Sequence, residues 1–496
     1  MKLRDLSVVL SLALAMAAPA VAQAESIFYR DYDLGDGASP SLDPMSPNRF
    51  YQANDLIYSR LIRQDETGAP APELATEWSV NDDGTEWTLK LREGVRFHDG
   101  SAFDAADVKY TLERINDPAL ESPVASVLGM IDHVEVIDPL TVKIVLSSPH
   151  AGLIALLMDY RVRMIPEGSG ETIGTEANGT GPFKMQTYDP EGTTILVANE
   201  DYWEGPPKVD AVHIIAIPDT AARTQALLAG HLDMATIGSD QRTTFEQSGK
   251  FELQNFPTGD WFGIVFRTDL PPFDNPLVRK AVRVAVDRQA MVKLLVGEGN
   301  AVVTCDHPVM PGDPYRADFD CPPDIEGAKR LLAEAGYPDG IEFDLVTSEL
   351  EPGMVQYAEV YQQQVAPAGI KVNIVLAPAD GYWEDVWMVA PVSMTSWSQR
   401  AADQVLNEVF RSTSPWNESY FKNARFDELL DLARSSLDFE KSKGYYAEAQ
   451  RLLFEEGGTF IGFFENGLRA VNRRVSGLPP VPEDYIRWHL IAKESE

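Results

Sequence analysis

Residues 72–115 read PELATEWSVNDDGTEWTLKLREGVRFHDGSAFDAADVKYTLERI. In residues 87–91 and again in 95–97, apolar side chains take every second position, which is the periodicity of a β-strand. A helix is predicted to follow, with Asp104 as its N-cap, because apolar residues then recur on one helical face. This part of the chain is therefore predicted to combine short strands with a capped helix.

The same signals extend outward in both directions. Two more alternating runs, 134–137 and 141–146, make the first half rich in strands. In the second half, Asp324 caps a helix that Gly336 ends in the left-handed conformation. The other elements predicted there are a strand at 341–345, a helix at 352–365, a strand at 371–376, a helix opening at Asn275-Pro276, and helices at 426–437 and 441–455. The strand–helix–strand order predicts a partly parallel sheet, so the chain is α+β in its first half and α/β in its second.

Length and charge restrict the class of protein. The chain has 496 residues and a net charge of -34, from 42 basic and 76 acidic side chains. A chain of this length needs two or three domains, because single cores stop growing at roughly 250–300 residues. The acidic excess argues against a nucleic-acid partner.

The first 24 residues have the pattern of a secretory signal peptide. Lys2 and Arg4 precede an apolar run of 6–18, and Ala22-Gln23-Ala24 fits the rule for a cleavage site. The run is too short to span a bilayer core of about 30 Å. We therefore expect an exported protein that begins at Glu25.

Two cysteines, Cys305 and Cys321, flank a segment rich in Pro, Gly and Asp. In an oxidising compartment such a pair predicts one disulfide, worth roughly 3 kcal/mol in the chain-entropy model. The alternative, a metal site, lacks further Cys or His ligands. No cofactor is expected.

Catalytic signatures are missing from the sequence. The seven histidines are scattered, and there is no H-E-x-x-H, G-x-S-x-G or Walker pattern. The second half is instead rich in tryptophan: Trp261, Trp383, Trp387 and Trp397. Aromatic walls with a few charged groups are typical of small-molecule clefts, although core packing is the alternative for any single tryptophan.

The quoted stretch 72–115 resembles the signature block of bacterial family 5 extracellular solute-binding proteins, the receptors of peptide, dipeptide and nickel ABC importers. Similar blocks follow in order along the chain, at 178–203, 223–235, 271–292, 325–340, 415–433 and 445–458. The segments ADGYWEDVWMVAP (379–391), WSQRAADQ (397–404) and CDHPVMPGDPY (305–315) resemble a proteobacterial branch with peptide-type ligands. This chain departs from that branch at Cys305, where Asn is usual, and at Ala401, where Pro is usual.

The resemblance implies a mixed α/β, two-lobe periplasmic binding protein with hinge strands and an extra inserted subdomain. The implied divisions are a signal peptide at 1–24, lobe I at 25–55, 175–266 and 471–496, the inserted subdomain at 56–174, and lobe II at 267–470.

It also implies a function: a monomeric, non-catalytic periplasmic receptor that captures a small peptide or peptide-like solute and delivers it to ABC permease subunits. The alternatives are an opine, a glycoside or chelated nickel as ligand, and, from another class, a periplasmic hydrolase, for which the sequence offers no nucleophile–base pair.

Site residues are predicted from the same resemblance. In dipeptide-binding members an aspartate at the position of Arg400 receives the ligand's α-ammonium. The reversed charge predicts that Arg400 holds a ligand carboxylate, with Trp397 and Trp383 as walls. Asp403 is expected to orient Arg400 or to receive the amine, and the alternative is a surface Arg400–Asp403 pair. The other predicted ligand-site residues are Trp261, Asp306 and His307, the last two on the loop beside the disulfide.

Overall fold

The computed structural model describes residues 27–30, 40–46, 50–65, 68–122, 124–217, 219–238 and 241–494. The predicted signal peptide lies outside these ranges. The strands are β1 Ile27–Arg30, β2 Ile62–Gln64, β3 Pro70–Pro72, β4 Ala75–Val80, β5 Glu86–Leu91, β6 Ile131–Asp138, β7 Thr141–Leu146, β8 Phe183–Thr187, β9 Thr193–Ala198, β10 Ala211–Ile215, β11 Met234–Thr236, β12 Phe251–Pro257, β13 Trp261–Phe266, β14 Ala301–Val303, β15 Ile341–Ser348, β16 Ile370–Ala377, β17 Val392–Trp397, β18 Thr459–Ile461, β19 Phe463–Asn472, β20 Val475–Ser476 and β21 Ala492–Lys493.

The α-helices are α1 Tyr51–Ile57, α2 Ala105–Ile115, α3 Ala125–Leu128, α4 Leu153–Leu156, α5 Ile173–Glu176, α6 Thr220–Leu228, α7 Arg242–Ser248, α8 Pro276–Val284, α9 Arg288–Leu295, α10 Ile325–Glu334, α11 Met354–Val365, α12 Tyr382–Asp385, α13 Ala402–Val405, α14 Ala424–Ser435 and α15 Phe439–Glu456. A π-helical turn, Leu406–Phe410, continues α13. In the described ranges no helix is both long and apolar enough to cross a membrane.

Three larger sheets organise these elements. Sheet A has the order β12-β19-β11-β1-β10-β9-β8, with β14 also paired to β19. Sheet B has the order β16-β15-β17-β13-β18, and its β15 and β16 run parallel over eight residue pairs. Sheet C is the antiparallel sheet β4-β5-β7-β6. The predicted mixed α/β class is confirmed, including the parallel strand–helix–strand unit around α11.

The apolar cores divide the chain into two bodies. Sheets A and C share one core cluster, which contains side chains as far apart in sequence as Leu42 and Ile491. Sheet B packs its helices around a second cluster, and a third lies between α14, α15 and the end of β17. We call the first body AC and the second body B. Strand β19 spans the predicted domain boundary at residue 470, because it contributes Phe463 to the core of body B and Val471 to that of body AC.

Helix ends that depend on local signals form as predicted. Asp104 caps α2 in a reciprocal capping box with Asp107, Asn275 caps α8, and Asp324 caps α10. Each cap works because a side-chain oxygen accepts a hydrogen bond from a backbone N–H that lacks a partner within the helix. Gly336 follows α10 with φ +96°, a conformation that a Cβ would strain.

One predicted element differs from the structure, and one pair of tryptophans lies at the end of a helix. Residues 95–97 do not form a strand: Arg96 makes one isolated bridge to Ala102 before the chain enters α2. No second residue pair extends this bridge into a ladder, because the bridged residues are only six positions apart in a tight turn. Helix α12 ends at Asp385, so Trp383 and Trp387 do not share the face of one regular helix. Met388, with φ +59°, turns the chain just beyond.

Candidate functional site

Strand pairing in sheet B brings two predicted site residues together. Trp261 opens β13 and Trp397 closes β17, and the antiparallel register sets them directly opposite each other. Their indole rings stack with centroids 6.4 Å apart and planes 21° apart. Trp261 is nearly buried and belongs to a core cluster, whereas Trp397 reaches the surface of a pocket. Trp261 therefore packs behind Trp397 and also lines a neighbouring cavity, described below.

A pocket of about 290 Å³ lies at the end of β17. It is lined by four indoles, by Arg400 and by small hydroxyl side chains: Trp383, Trp387, Trp397, Trp416, Thr395, Ser396 and Ser398. We call it the Trp pocket. Trp383 meets Trp387 edge-to-face at 6.3 Å, and Trp416 leans on Trp397 at 5.9 Å. The predicted walls Trp397 and Trp383 thus line one concave site.

A second cavity of about 320 Å³ adjoins the first and shares Ser396, Trp397 and Ser398 with it. Its other polar lining residues are Asp260, Glu351 and Glu465. The pKa of Glu465 is raised, first because protein atoms crowd the carboxyl group and then because Asp260 repels its charge. We call this cavity the acidic pocket. The two pockets together form a cleft with aromatic walls and carboxylates at one end.

Arg400 lies at the rim of the Trp pocket and is held from three sides. Its Nε donates to Glu408 Oε2 at 2.8 Å, its Nη1 donates to the Ser398 carbonyl at 3.0 Å, and its guanidinium carbon stands 5.0 Å from the ring centre of Trp397. The Nη2 group has no hydrogen-bond partner among the described residues. Arg400 is therefore positioned, with one donor group left over.

Asp403 does not orient Arg400, and the alternative Arg400–Asp403 surface pair does not form either, because Arg400 pairs with Glu408. Asp403 is buried and accepts two hydrogen bonds from Arg434, at 2.7 and 2.9 Å. It also accepts one from the hydroxyl of Tyr446 at 2.7 Å and lies 3.2 Å from His150 Nε2. Burial alone would raise the pKa of Asp403, but Arg434 and His150 outweigh it and hold that pKa well below its ordinary value.

These contacts join the two bodies beside the cleft. His150 follows sheet C, and the next residue, Ala151, donates its N–H to the Arg434 carbonyl at 2.7 Å. Gln399, one residue before Arg400, reaches across to Asp484 at 3.1 Å. Burial raises the pKa of Asp484 to about 7, although Arg60 opposes the shift. The segment that carries Trp397 and Arg400 therefore faces body AC.

Asp306 and His307 lie elsewhere than predicted. Asp306 is 1% exposed, and its carboxylate accepts hydrogen bonds from Arg288 at 2.8 and 2.9 Å, from Arg283 at 3.2 Å and from the Ile461 N–H at 3.1 Å. His307 is buried against Phe319, and burial lowers its pKa to about 3. Neither residue lines the Trp pocket or the acidic pocket. Asp306 instead ties β18 to α8 and α9.

The predicted disulfide is present in the structure. Cys305 and Cys321 are bonded, with their Cα atoms 5.8 Å apart. The bridge borders a cavity of about 660 Å³ in body B, apart from the aromatic cleft. Within the described ranges no group of three His, Cys, Asp or Glu side chains is arranged to hold a metal ion.

Sequence reasoning missed one residue behind the Trp pocket, Glu418. Its carboxylate is buried and accepts hydrogen bonds from the indole N–H groups of Trp387 and Trp397 and from the hydroxyl of Thr395. The only signal in the sequence is an acidic residue between two aromatic ones, in WNESY at 416–420. That pattern alone does not reveal burial.

Comparison with known proteins agrees with this architecture. The model of the bacterial extracellular solute-binding proteins, family 5 Middle, matches residues 69–449. The glutathione-binding protein GsiB of Escherichia coli K12 is 30% identical over 471 residues, covering 89% of this chain and 90% of GsiB.

Two solved structures share the fold. NikZ from Campylobacter jejuni, in complex with Ni(L-His), superposes with a TM-score of 0.81 at 22% identity, covering 94% of this chain and 99% of NikZ. AgaA from Agrobacterium tumefaciens R10, in complex with agropinic acid, superposes with a TM-score of 0.77 at 24% identity, covering 95% and 99%. Both are similar in fold, and the predicted two-lobe periplasmic binding protein architecture is confirmed. The chain belongs to the bacterial extracellular solute-binding proteins of family 5.

Proposed function

We propose that this protein is a non-catalytic periplasmic receptor that encloses a small peptide or peptide-like solute in the aromatic cleft and presents it to the permease subunits of an ABC importer. The cleft supports this proposal because it combines indole walls with few charged groups beside the contacts between bodies AC and B. Closure of two bodies around a solute is the hinge motion expected for such a fold.

Arg400 is the single observation that carries the ligand class. Its Nη2 points to no partner in the described chain, while Glu408 and Ser398 fix the rest of the guanidinium. A fixed guanidinium with a spare donor group suits a carboxylate. Glutathione and histidine, which occur in the names of the similar proteins, are both carboxylates, and both also carry an amine.

An opine is the second candidate ligand, and the likeness to AgaA with agropinic acid favours it. An opine would use the same Arg400 contact, because it is also a carboxylate. A glycoside without a carboxylate would depend less on Arg400. A hydrolase would need a nucleophile and base at the cleft, and its reaction would release altered solute.

The lobe divisions given above remain our proposal for how the two bodies move, except that β13 belongs to sheet B, so we propose hinges between β12 and β13 and near residue 470. The export signal and the periplasmic location belong to the same proposal. Mass spectrometry of the protein purified from the periplasm should give Glu25 as its first residue, and an intact residue 1 would contradict export with cleavage.

The test of function is the identity of the bound solute. Purified protein is denatured, the released small molecules are identified by mass spectrometry, and each one is then titrated back by calorimetry. A solute at a hundred times its dissociation constant should stabilise the protein by about 2.7 kcal/mol. Recovery of the solute unchanged after prolonged incubation supports a receptor, whereas turnover to product would refute it.

A further inference from the structure

The buried carboxylate of Glu418 organises the Trp pocket. Glu418 is 1% exposed and lies in the loop before α14. Each of its three hydrogen-bond donors is a lining residue of the pocket: Trp387 through Nε1, Trp397 through Nε1 at 3.1 Å, and Thr395 through its hydroxyl at 2.9 Å. One acidic side chain therefore fixes the orientation of two of the four indoles.

The charge on Glu418 has no cationic partner in the described part of the chain. All three donors are neutral groups, and burial raises the pKa of Glu418 to about 7 in spite of them. The nearby Arg400 is paired with Glu408. Tyr382 on α12 faces Glu418 as a neutral phenol, because burial raises the pKa of its hydroxyl well above the ordinary value. Burying a carboxylate without a cationic partner destabilises the fold, and a neutral side chain could accept the same hydrogen bonds with a smaller loss of stability.

The indole faces of the Trp pocket are surfaces on which a cation can bind near the charge of Glu418. Arg400 already stacks on Trp397, so this ring accepts a cation at 5.0 Å. No basic side chain of the described chain stands over Trp383, Trp387 or Trp416. A cation over an indole face is attracted by the ring, and a carboxylate that accepts a hydrogen bond from the N–H at the ring edge adds to that attraction across a poorly solvated gap.

We propose that the Trp pocket receives a cationic group of the solute, an ammonium in chemical class, and that Glu418 determines this specificity through Trp387 and Trp397. This inference deepens the proposed function and rests on it, since it takes the Trp pocket as the place where solute binds. Arg400 and Glu418 then recognise opposite charges of one zwitterionic solute.

The test compares two probes of the same shape, choline and 3,3-dimethylbutan-1-ol, which differ by the positive charge. Binding of each probe to the full-length mature protein is followed by tryptophan fluorescence at pH 8 and constant ionic strength. We expect choline to bind about tenfold more tightly than the alcohol. Equal binding of the two probes, or no binding of choline, would overturn the inference.

Two further measurements assign the preference to Glu418. In Glu418→Gln the preference should fall below about twofold, whereas Glu384→Gln, which removes an exposed carboxylate beside Trp383, should keep it. In the unmodified protein the preference for choline over the alcohol should decrease as the pH decreases from 8 to 5.5. A carboxyl group with a pKa of about 7 is mostly ionised at pH 8 and mostly protonated at pH 5.5. A preference that survives both changes would refute a role for Glu418, and this result leaves the identity of the natural solute, and so the proposed function, unaffected.

Discussion

Replacing Asp403 by Asn tests the contact between the two bodies. The substitution keeps the shape of the side chain and removes its charge. It breaks the paired hydrogen bonds with Arg434 at 2.7 and 2.9 Å and weakens the contact with His150. Removing one partner of a buried ion pair costs about 3–5 kcal/mol. The Arg434 side chain is 28% exposed, so water can solvate part of its uncompensated charge. We therefore expect the free energy of unfolding to decrease by about 3 kcal/mol.

The assay is urea unfolding of the solute-free protein, followed by circular dichroism. For a chain of this length, about 3 kcal/mol corresponds to a decrease of roughly 3 °C in the melting temperature. The matched control is Asp431→Asn on α14, since Asp431 is 65% exposed in its pair with Arg411 and should contribute less than about 1 kcal/mol. A free energy of unfolding for Asp403→Asn within about 0.5 kcal/mol of that of the unsubstituted protein would refute the reasoning, since this is the size of the experimental error.

The pH dependence gives an independent check on the same carboxylate. Because the pKa of Asp403 in the folded protein lies well below its ordinary value, the stabilisation is fully present above the unfolded pKa of about 3.9. The difference in stability between the protein and Asp403→Asn should therefore not decrease between about pH 8 and 5, and it should decrease below about pH 4. A difference that already fell between pH 8 and 6 would contradict this assignment.

Substitutions at three other places test the site and the core. Asp306→Asn leaves two buried guanidinium groups uncompensated, and we expect a loss of about 3–5 kcal/mol in urea unfolding; an unchanged midpoint would contradict the buried ion cluster. Arg400→Ala should weaken binding of the identified solute at least about tenfold in calorimetry, and Arg400→Lys less, since charged hydrogen bonds contribute about 1.5–3 kcal/mol; equal affinity would refute the anchor. Replacing Cys305 and Cys321 by Ser should cost about 3 kcal/mol, and free thiols in the unreduced protein would show that no bridge forms.

Features of the fold that depend on nearby residues were predictable from the sequence. In the caps at Asp104, Asn275 and Asp324, the side-chain oxygen accepts a hydrogen bond from a backbone N–H no more than three residues away. The strand–helix–strand unit around α11 was also predictable from nearby residues, because the spacing of its apolar side chains changes at each boundary between strand and helix. Residues 95–97 mark the limit of such signals, because their alternation ends before a partner strand is reached.

The site depends on pairing between distant residues, which no local pattern contains. Trp261 and Trp397 meet only through the register of β13 and β17. Arg400 precedes α13, so it cannot pair with Asp403 by helical spacing, and the side chain of Asp403 turns inward to Arg434. The resemblance to a family therefore located the Trp397–Arg400 segment, while the partners of its side chains required the three-dimensional structure.

Strand β19 imposes an order in time on the folding of this chain. It lies between β11 and β12 in sheet A, so those two strands, synthesised more than two hundred residues earlier, are joined only when β19 arrives between them. Sheet A consequently cannot close while the ribosome is still making the second half of the chain. Contacts of such long sequence separation also make folding slow. The edge of β11 that does not face β1, and the edge of β12 that β19 will cover, must therefore stay unpaired until the last strands emerge, and body AC is completed after synthesis rather than during it.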